Sequence, residues 1–120
     1  MTEGGLAVET KVEGDRIVAT FSGSAELPAV AALGKLLHEL HARAVASSVK
    51  EIHADLRHLE FMNSSCFKNL ITWITELQDE PADKQYQIHF LSSSAMLWQR
   101  RSMHALKSFA TELIHIETDA

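Results

Sequence analysis

Asp55-Leu56-Arg57-His58-Leu59-Glu60-Phe61-Met62-Asn63-Ser64-Ser65-Cys66-Phe67-Lys68 joins a half-apolar segment, through a short link, to two hydroxyl residues that open an apolar-periodic run. Upstream, Ile52-His53-Ala54-Asp55-Leu56 alternates apolar and polar side chains, the two-residue period of a strand buried on one face. Downstream, Phe67, Leu70, Ile71, Ile74 and Leu77 recur at the three- and four-residue spacing of one helix face. Asn63 and Ser64 are both good N-cap residues, so the spacing predicts a helix from Ser64 to about Gln78 with a serine hydroxyl on its first turn. Backbone N–H groups without intrahelical partners point outward there, and the helix dipole favours negative charge. A phosphate on Ser64 would therefore be tolerated by the fold while adding about two negative charges to the surface around it. This is the layout of a switch and not of a catalytic centre.

These residues resemble the STAS domain, the family named for sulfate transporters and anti-sigma factor antagonists. Asp55-Leu56 matches the end of that family's central strand, Phe61-Met62 the apolar pair before its loop, and Ser64-Ser65 the hydroxyl pair of a loop that usually reads Asp-Ser-Ser-Gly or Asp-Ser-Thr-Gly. Two positions depart from it, Asn63 standing where Asp is usual and Cys66 where Gly is usual. Asn63 with the following Lys68 is also similar to a subset of small bacterial STAS-like regulators whose loop reads Asn-Thr-Ser-Ser. The resemblance implies a non-catalytic protein-binding regulator of the anti-sigma factor antagonist kind, which docks on a serine kinase or anti-sigma factor when unmodified. It implies phosphorylation at Ser64, with Ser65 as the alternative, and a serine phosphatase to reverse it. It further implies a contact surface that joins Asn63, Ser64, Ser65, Cys66 and Phe67 to the Ser22–Glu26 loop, in which Ser24 and Glu26 are the contact residues. The same family includes accessory subunits that stabilise the ATPase of a membrane transporter, in which Ser64 would be a contact residue without phosphorylation.

Composition bounds these expectations. With 120 residues the chain is expected to form one domain over 1–120, long enough to bury a core without disulfides or metals, with residues 1–5 frayed. No apolar run approaches the roughly 18 residues that a membrane span needs, and no basic region precedes an apolar block at the N-terminus. One cysteine forms no internal disulfide, which fits a cytoplasmic home. A net charge of −5, with no basic block beyond Arg100-Arg101, argues against general nucleic-acid or anionic-membrane binding.

Along the rest of the chain, Val8–Val12 and Arg16–Phe21 read as a hairpin around Glu13-Gly14-Asp15. A helix follows Ser22-Gly23-Ser24, with Pro28 in its first turn and Val30, Leu33, Leu36, Leu37, Leu40 and Ala44 as its buried stripe. Strands are expected at 51–56, 87–91 and 113–117, and a third helix from about Ala95 to Phe109 capped by Ser92-Ser93-Ser94. The order β-β-α-β-α-β-α-β gives an α/β fold with a mixed, mostly parallel sheet. Strands covered on both faces read as unbroken apolar runs, whereas Ile52/Ala54/Leu56, Ile88/Phe90 and Ile114/Ile116 alternate with His53/Asp55, His89 and His115/Glu117. The helices are therefore expected mainly on one face, with the other face wet.

Other chemistry is sparse. Cys66 near a helix start is placed for the dipole to lower its thiol pKa, although a small residue filling a turn accounts for it as well. His38 and His41 lack the spacing of a metalloprotease helix and read as exposed side chains. His53, His89 and His115 each follow an isoleucine and are expected to share the wet face as a row, solvated or serving as a weak metal site, a pH-sensitive surface or a homodimer contact. Trp73 reads as core periphery or an interface anchor, Trp98 as core, and Arg100 and Arg101 as solvated or open to a partner's carboxylate. The five glycines fall without phosphate-binding spacing, and no set of acids, nucleophile and base assembles in the sequence, so neither an enzyme activity, a resident metal nor a cofactor is expected.

Overall fold

Twelve consecutive residues, Glu51–Met62, form the central strand of a six-stranded sheet in the computed structural model, which describes residues 1–119. In chain order the strands are β1 (Thr2–Glu3), β2 (Leu6–Glu13), β3 (Arg16–Ala25), β4 (Glu51–Met62), β5 (Gln87–Ser93) and β6 (Ile114–Asp119). The helices are α1 (Val30–Ala46), α2 (Ser64–Gln78) and α3 (Leu97–Phe109). Spatial order follows chain order from β1 to β6. β1, β2 and β3 pair antiparallel, and β3 to β6 pair parallel, with one helix in each parallel crossover.

The expected one-sided sheet is what forms. Ile17, Ala19, Phe21, Ile52, Ala54, Leu56, Ile88, Phe90 and Ile114 are buried on the face that receives Leu33, Leu37, Leu40, Leu70, Trp73, Ile74, Leu77, Met103 and Leu106 from the helices. His53, His89 and His115 alternate with them on the opposite face and remain partly exposed. α1 and α2 pack against each other where Gly34 leaves room for Asn69, whose Nδ2 donates to Val30 O at 2.9 Å.

Several boundaries differ from the expected ones. Residues 1–5 turn back through Gly4 and Gly5 so that Thr2 and Glu3 pair with Ala7 and Leu6, and Val8 N donates to Met1 O at 2.8 Å. β3 continues through Ser22-Gly23-Ser24 to Ala25, so this segment is strand and not loop. Gly23 makes that possible: at φ +85° a side chain is strained, and a Cβ there would lie 2.0 Å from Gly5 O. β4 runs past Leu56 through two bulges, since β3 residues Thr20 and Ser22 face Asp55 and His58, and Gly23 and Ser24 face Leu59 and Phe61. Each step inserts one extra residue on β4 and resets its alternation, which brings Leu56 and Leu59 both into the core.

The serines at 92–94 do not cap α3. β5 extends to Ser93, α3 starts at Leu97, and its N-cap residue Met96 makes no side-chain cap bond. Ser92 Oγ instead meets Thr118 Oγ1 at 2.9 Å, and Ser93 Oγ accepts from Ala95 N at 3.2 Å. Among the described residues, no helix is long and apolar enough to cross a membrane.

Candidate functional site

β4 delivers the chain directly to the start of α2, where Asn63 and not a serine is the cap. Its Oδ1 accepts from Cys66 N at 2.8 Å, its carbonyl accepts from Phe67 N at 3.0 Å, and its own N–H donates to Ala25 O at 2.9 Å. Removing that side chain with Asn63→Ala is expected to lower stability by about 1 kcal/mol in chemical denaturation. Because the cap is taken, Ser64 and Ser65 occupy the first turn with free hydroxyls: among the described residues neither makes a side-chain hydrogen bond. Ser64 is exposed and Ser65 half-buried. The N–H groups of these two residues have no intrahelical acceptor, so this is the electropositive end of α2.

The end of β3 lies alongside. Ser24 pairs with Phe61 and Ala25 with Met62. Cys66 Sγ donates to Glu26 O at 3.6 Å. The fold thus brings Ser24 and Glu26 beside Asn63, Ser64, Ser65 and Phe67, the residues that the sequence grouped as one surface. Cys66 is the exception, with a fully buried side chain that lies beneath that surface. Burial also pushes its thiol pKa up, opposite to the lowering expected from the helix dipole, so a redox-responsive thiol is not what the structure contains.

Leu27, which carries no signal in the sequence, and Phe61, of the apolar pair before the loop, are the exposed apolar side chains here. Leu27 is 71% exposed at the turn before α1, and Phe61 is 45% exposed at the end of β4. Leu27 follows Glu26, whose carbonyl meets Cys66 Sγ, and Phe61 precedes the Asn63 cap by two residues, so both lie on the segments that lead to the start of α2. Nearby Glu26 and Glu60 are exposed carboxylates. Farther back on β4, Asp55 accepts from the Arg57 backbone N–H at 3.0 Å and from Arg57 Nε and Nη2 at 2.9 and 2.8 Å. The hydrogen-bonded guanidinium holds the Asp55 carboxyl below the usual carboxylate range.

Gln99 is the other missed residue. It is fully buried on α3, where its Nε2 donates to Leu56 O at 2.6 Å and Leu59 O at 3.0 Å, while its Oε1 accepts from Ser93 N at 2.8 Å. Pairing between β4 and β5 ends at Asp55 and Leu91, so beyond that point Gln99 stands in for a neighbouring strand. Its position was legible in principle: Gln99, Met103 and Leu106 fall four and three residues apart on the inward stripe of α3.

The remaining candidates separate. His41, expected exposed, is buried, with Nδ1 2.7 Å from the Tyr86 hydroxyl and Nε2 2.7 Å from Glu80 Oε2; His38 remains exposed beside Glu76. Trp73 is core and not an interface anchor, its Nε1 donating to the Tyr86 hydroxyl at 2.8 Å. Trp98 is half-buried, with its Nε1 enclosed and without a hydrogen-bond partner among the described residues. Arg100 lines a cavity of about 420 Å³ with Ser94, Met96, His104 and Lys107 between α3 and the sheet end.

In fold, the chain is similar to an anti-sigma factor antagonist from Mycobacterium paratuberculosis, at a TM-score of 0.65 and 17% identity over 92% of this chain and 85% of that one. It is also similar to the anti-sigma factor antagonist SpoIIAA in its unphosphorylated form, at a TM-score of 0.63 and 16% identity over 94% of this chain and 90% of that one. No family model and no curated protein matches the sequence. At these identities the likeness defines the architecture, and the chain has the STAS fold that its strand-to-helix motif resembles.

Proposed function

We propose that this chain is a non-catalytic, anti-sigma factor antagonist-like partner-switching protein, and that Ser64 is its switch. One observation carries the reading. Ser64 is an exposed, uncommitted hydroxyl on the first turn of α2, directly after the strand end that carries the exposed Phe61. The fold likeness to two anti-sigma factor antagonists supports an anti-sigma factor as the partner, while the serine kinase and the serine phosphatase that would reset the switch follow from the resemblance of the loop motif.

The mechanism follows from charge and burial. Unmodified, the rim formed by Leu27, Phe61 and Phe67 offers apolar contact, and Ser24, Glu26, Asn63, Ser64 and Ser65 set its polar pattern. A phosphate on Ser64 is accommodated within this chain by the free first-turn N–H groups. Against a docked partner it must be desolvated beside Glu26 and Glu60, and an uncompensated buried charge opposes association. Phosphorylation thereby changes the partner without changing the fold.

The test is co-purification of cellular proteins with the wild-type chain, Ser64→Ala and Ser64→Asp. A serine kinase or anti-sigma factor is expected with wild type and Ser64→Ala, and at least about tenfold less of it with Ser64→Asp, a loss of about 1.4 kcal/mol or more in binding. Equal recovery of a transporter ATPase with all three forms would replace the switch by a structural accessory role.

A further inference from the structure

The open face of the sheet carries a side-chain arrangement that the partner-binding rim does not use. Strand register aligns His53, His89 and His115 across β4, β5 and β6, and places Glu51 beside Gln87 one step earlier. The three imidazoles form a stack, with ring centroids 4.6 Å apart at each step and planes inclined by 16° and 14°. Glu51 Oε1 lies 2.7 Å from His53 Nε2 and 3.6 Å from His89 Nε2.

We propose that Glu51, His53 and His89 form a binding site for a divalent first-row transition ion, of which Zn²⁺ is the test case. One donor atom from each of the three residues lies within 4.8 Å of the others. A tetrahedral zinc with bonds of about 2.0–2.1 Å sets its donor atoms about 3.3 Å apart. The two separations from Glu51, 2.7 and 3.6 Å, straddle that edge length, and binding requires the His53 and His89 rings to turn out of their stack so that both Nε2 lone pairs converge on one ion. Two imidazoles and one carboxylate are a donor set that suits zinc, and three protein ligands leave a fourth position for water.

The surroundings orient the donors. Glu117 Oε2 lies 3.0 Å from His89 Nδ1. A proton held on Nδ1 by that carboxylate leaves the Nε2 lone pair directed toward Glu51, the carboxylate–histidine arrangement that fixes a ligating tautomer. His115 is committed differently, its Nε2 meeting Gln87 Oε1 at 2.5 Å, so it supports the stack and is not a ligand. Arg16, paired in register with Glu51, has its guanidinium engaged by Glu13 Oε1 at 2.8 Å. The strands themselves fix the spacing, so the site sits on the rigid part of the fold.

The test is calorimetric titration of the untagged full chain with Zn²⁺ in a non-chelating buffer, together with Co²⁺ absorption as a reporter of tetrahedral geometry. One ion per chain is expected, with His53→Gln, His89→Gln and Glu51→Gln each weakening binding by at least about tenfold and abolishing the tetrahedral Co²⁺ bands. His115→Gln and His38→Gln should change affinity by less than about threefold, because neither side chain supplies a donor. These side chains lie on the wet face, so circular dichroism is expected to show all the variants folded. No binding by wild type below millimolar zinc, or binding unchanged in the His53→Gln/His89→Gln double variant, would overturn the site.

Discussion

Gln99→Ala is expected to lower the unfolding free energy by about 4 kcal/mol, because it strands two buried backbone carbonyls and a half-buried N–H at once and each unsatisfied buried group costs about 1–3 kcal/mol. Those groups are Leu56 O, Leu59 O and Ser93 N, which have Gln99 as their side-chain partner. Gln99→Met separates the hydrogen bonds from the packing: it keeps most of the volume and is expected to retain only a minor part of the lost stability. Gln99→Glu places an acceptor-only group against two carbonyls and is expected to be worse than alanine. Urea unfolding of the set measures this, and a loss below about 1 kcal/mol for Gln99→Ala would show that water replaces the side chain at little cost. A second consequence reaches the rim. Leu56 and Leu59 hold the bulged half of β4, which leads to Phe61, Met62 and the Asn63 cap, so variants that still fold should also weaken the binding proposed for the Ser64 surface.

Tyr86→Phe is expected to cost about 3 kcal/mol, since the removed hydroxyl is shared by the Trp73 indole and the His41 ring. Indole N–H only donates, so the Tyr86 oxygen accepts from Trp73. Its own proton is then available to His41 Nδ1, which leaves His41 Nε2–H to donate to Glu80. Burial pushes the Tyr86 phenol well above its ordinary value. The folded chain therefore keeps a proton that the unfolded chain releases above about pH 10, and alkali favours unfolding. This stabilising contribution is fully present below that pH and is lost as pH rises toward the folded value. Tyr86→Phe should remove this part of the alkaline decline. Tyr86 is the single tyrosine, so ultraviolet absorbance of tyrosinate follows this group alone. Ordinary titration near pH 10 in the folded protein would contradict the buried network.

Periodicity was a reliable guide wherever strands and helices keep an undisturbed phase. The alternation Ile52/His53/Ala54/Asp55 and the α2 stripe of Leu70, Ile74 and Leu77 gave the one-sided sheet and the helix that begins at Ser64. Legibility ended where phase breaks. The two bulges in β4 place Leu56, Leu59 and Phe61 outside any regular alternation, so the second half of that strand read as a link. Polar residues on an apolar stripe were the other blind spot. His41 follows Leu37 by four residues and precedes Ala44 by three, in phase with the buried stripe, yet its polar ring reads as a surface side chain. The same holds for Gln99. The serine rim was legible as a cluster because Asn63, Ser64 and Ser65 are contiguous, whereas Leu27 joins them only through the pairing of β3 with β4.

The borders of the sheet set how this protein can be recognised. On one side the two-residue β1 pairs only with Leu6 and Ala7, and the rest of β2 is the border, where Glu9, Lys11 and Glu13 place charges along the edge. On the other, β6 ends in Glu117, Thr118 and Asp119, all exposed, and the two carboxylates repel an incoming backbone edge. Strand addition, the common route by which open sheets grow into aggregates, is discouraged at both margins. Copies of the chain are thereby discouraged from joining edge to edge.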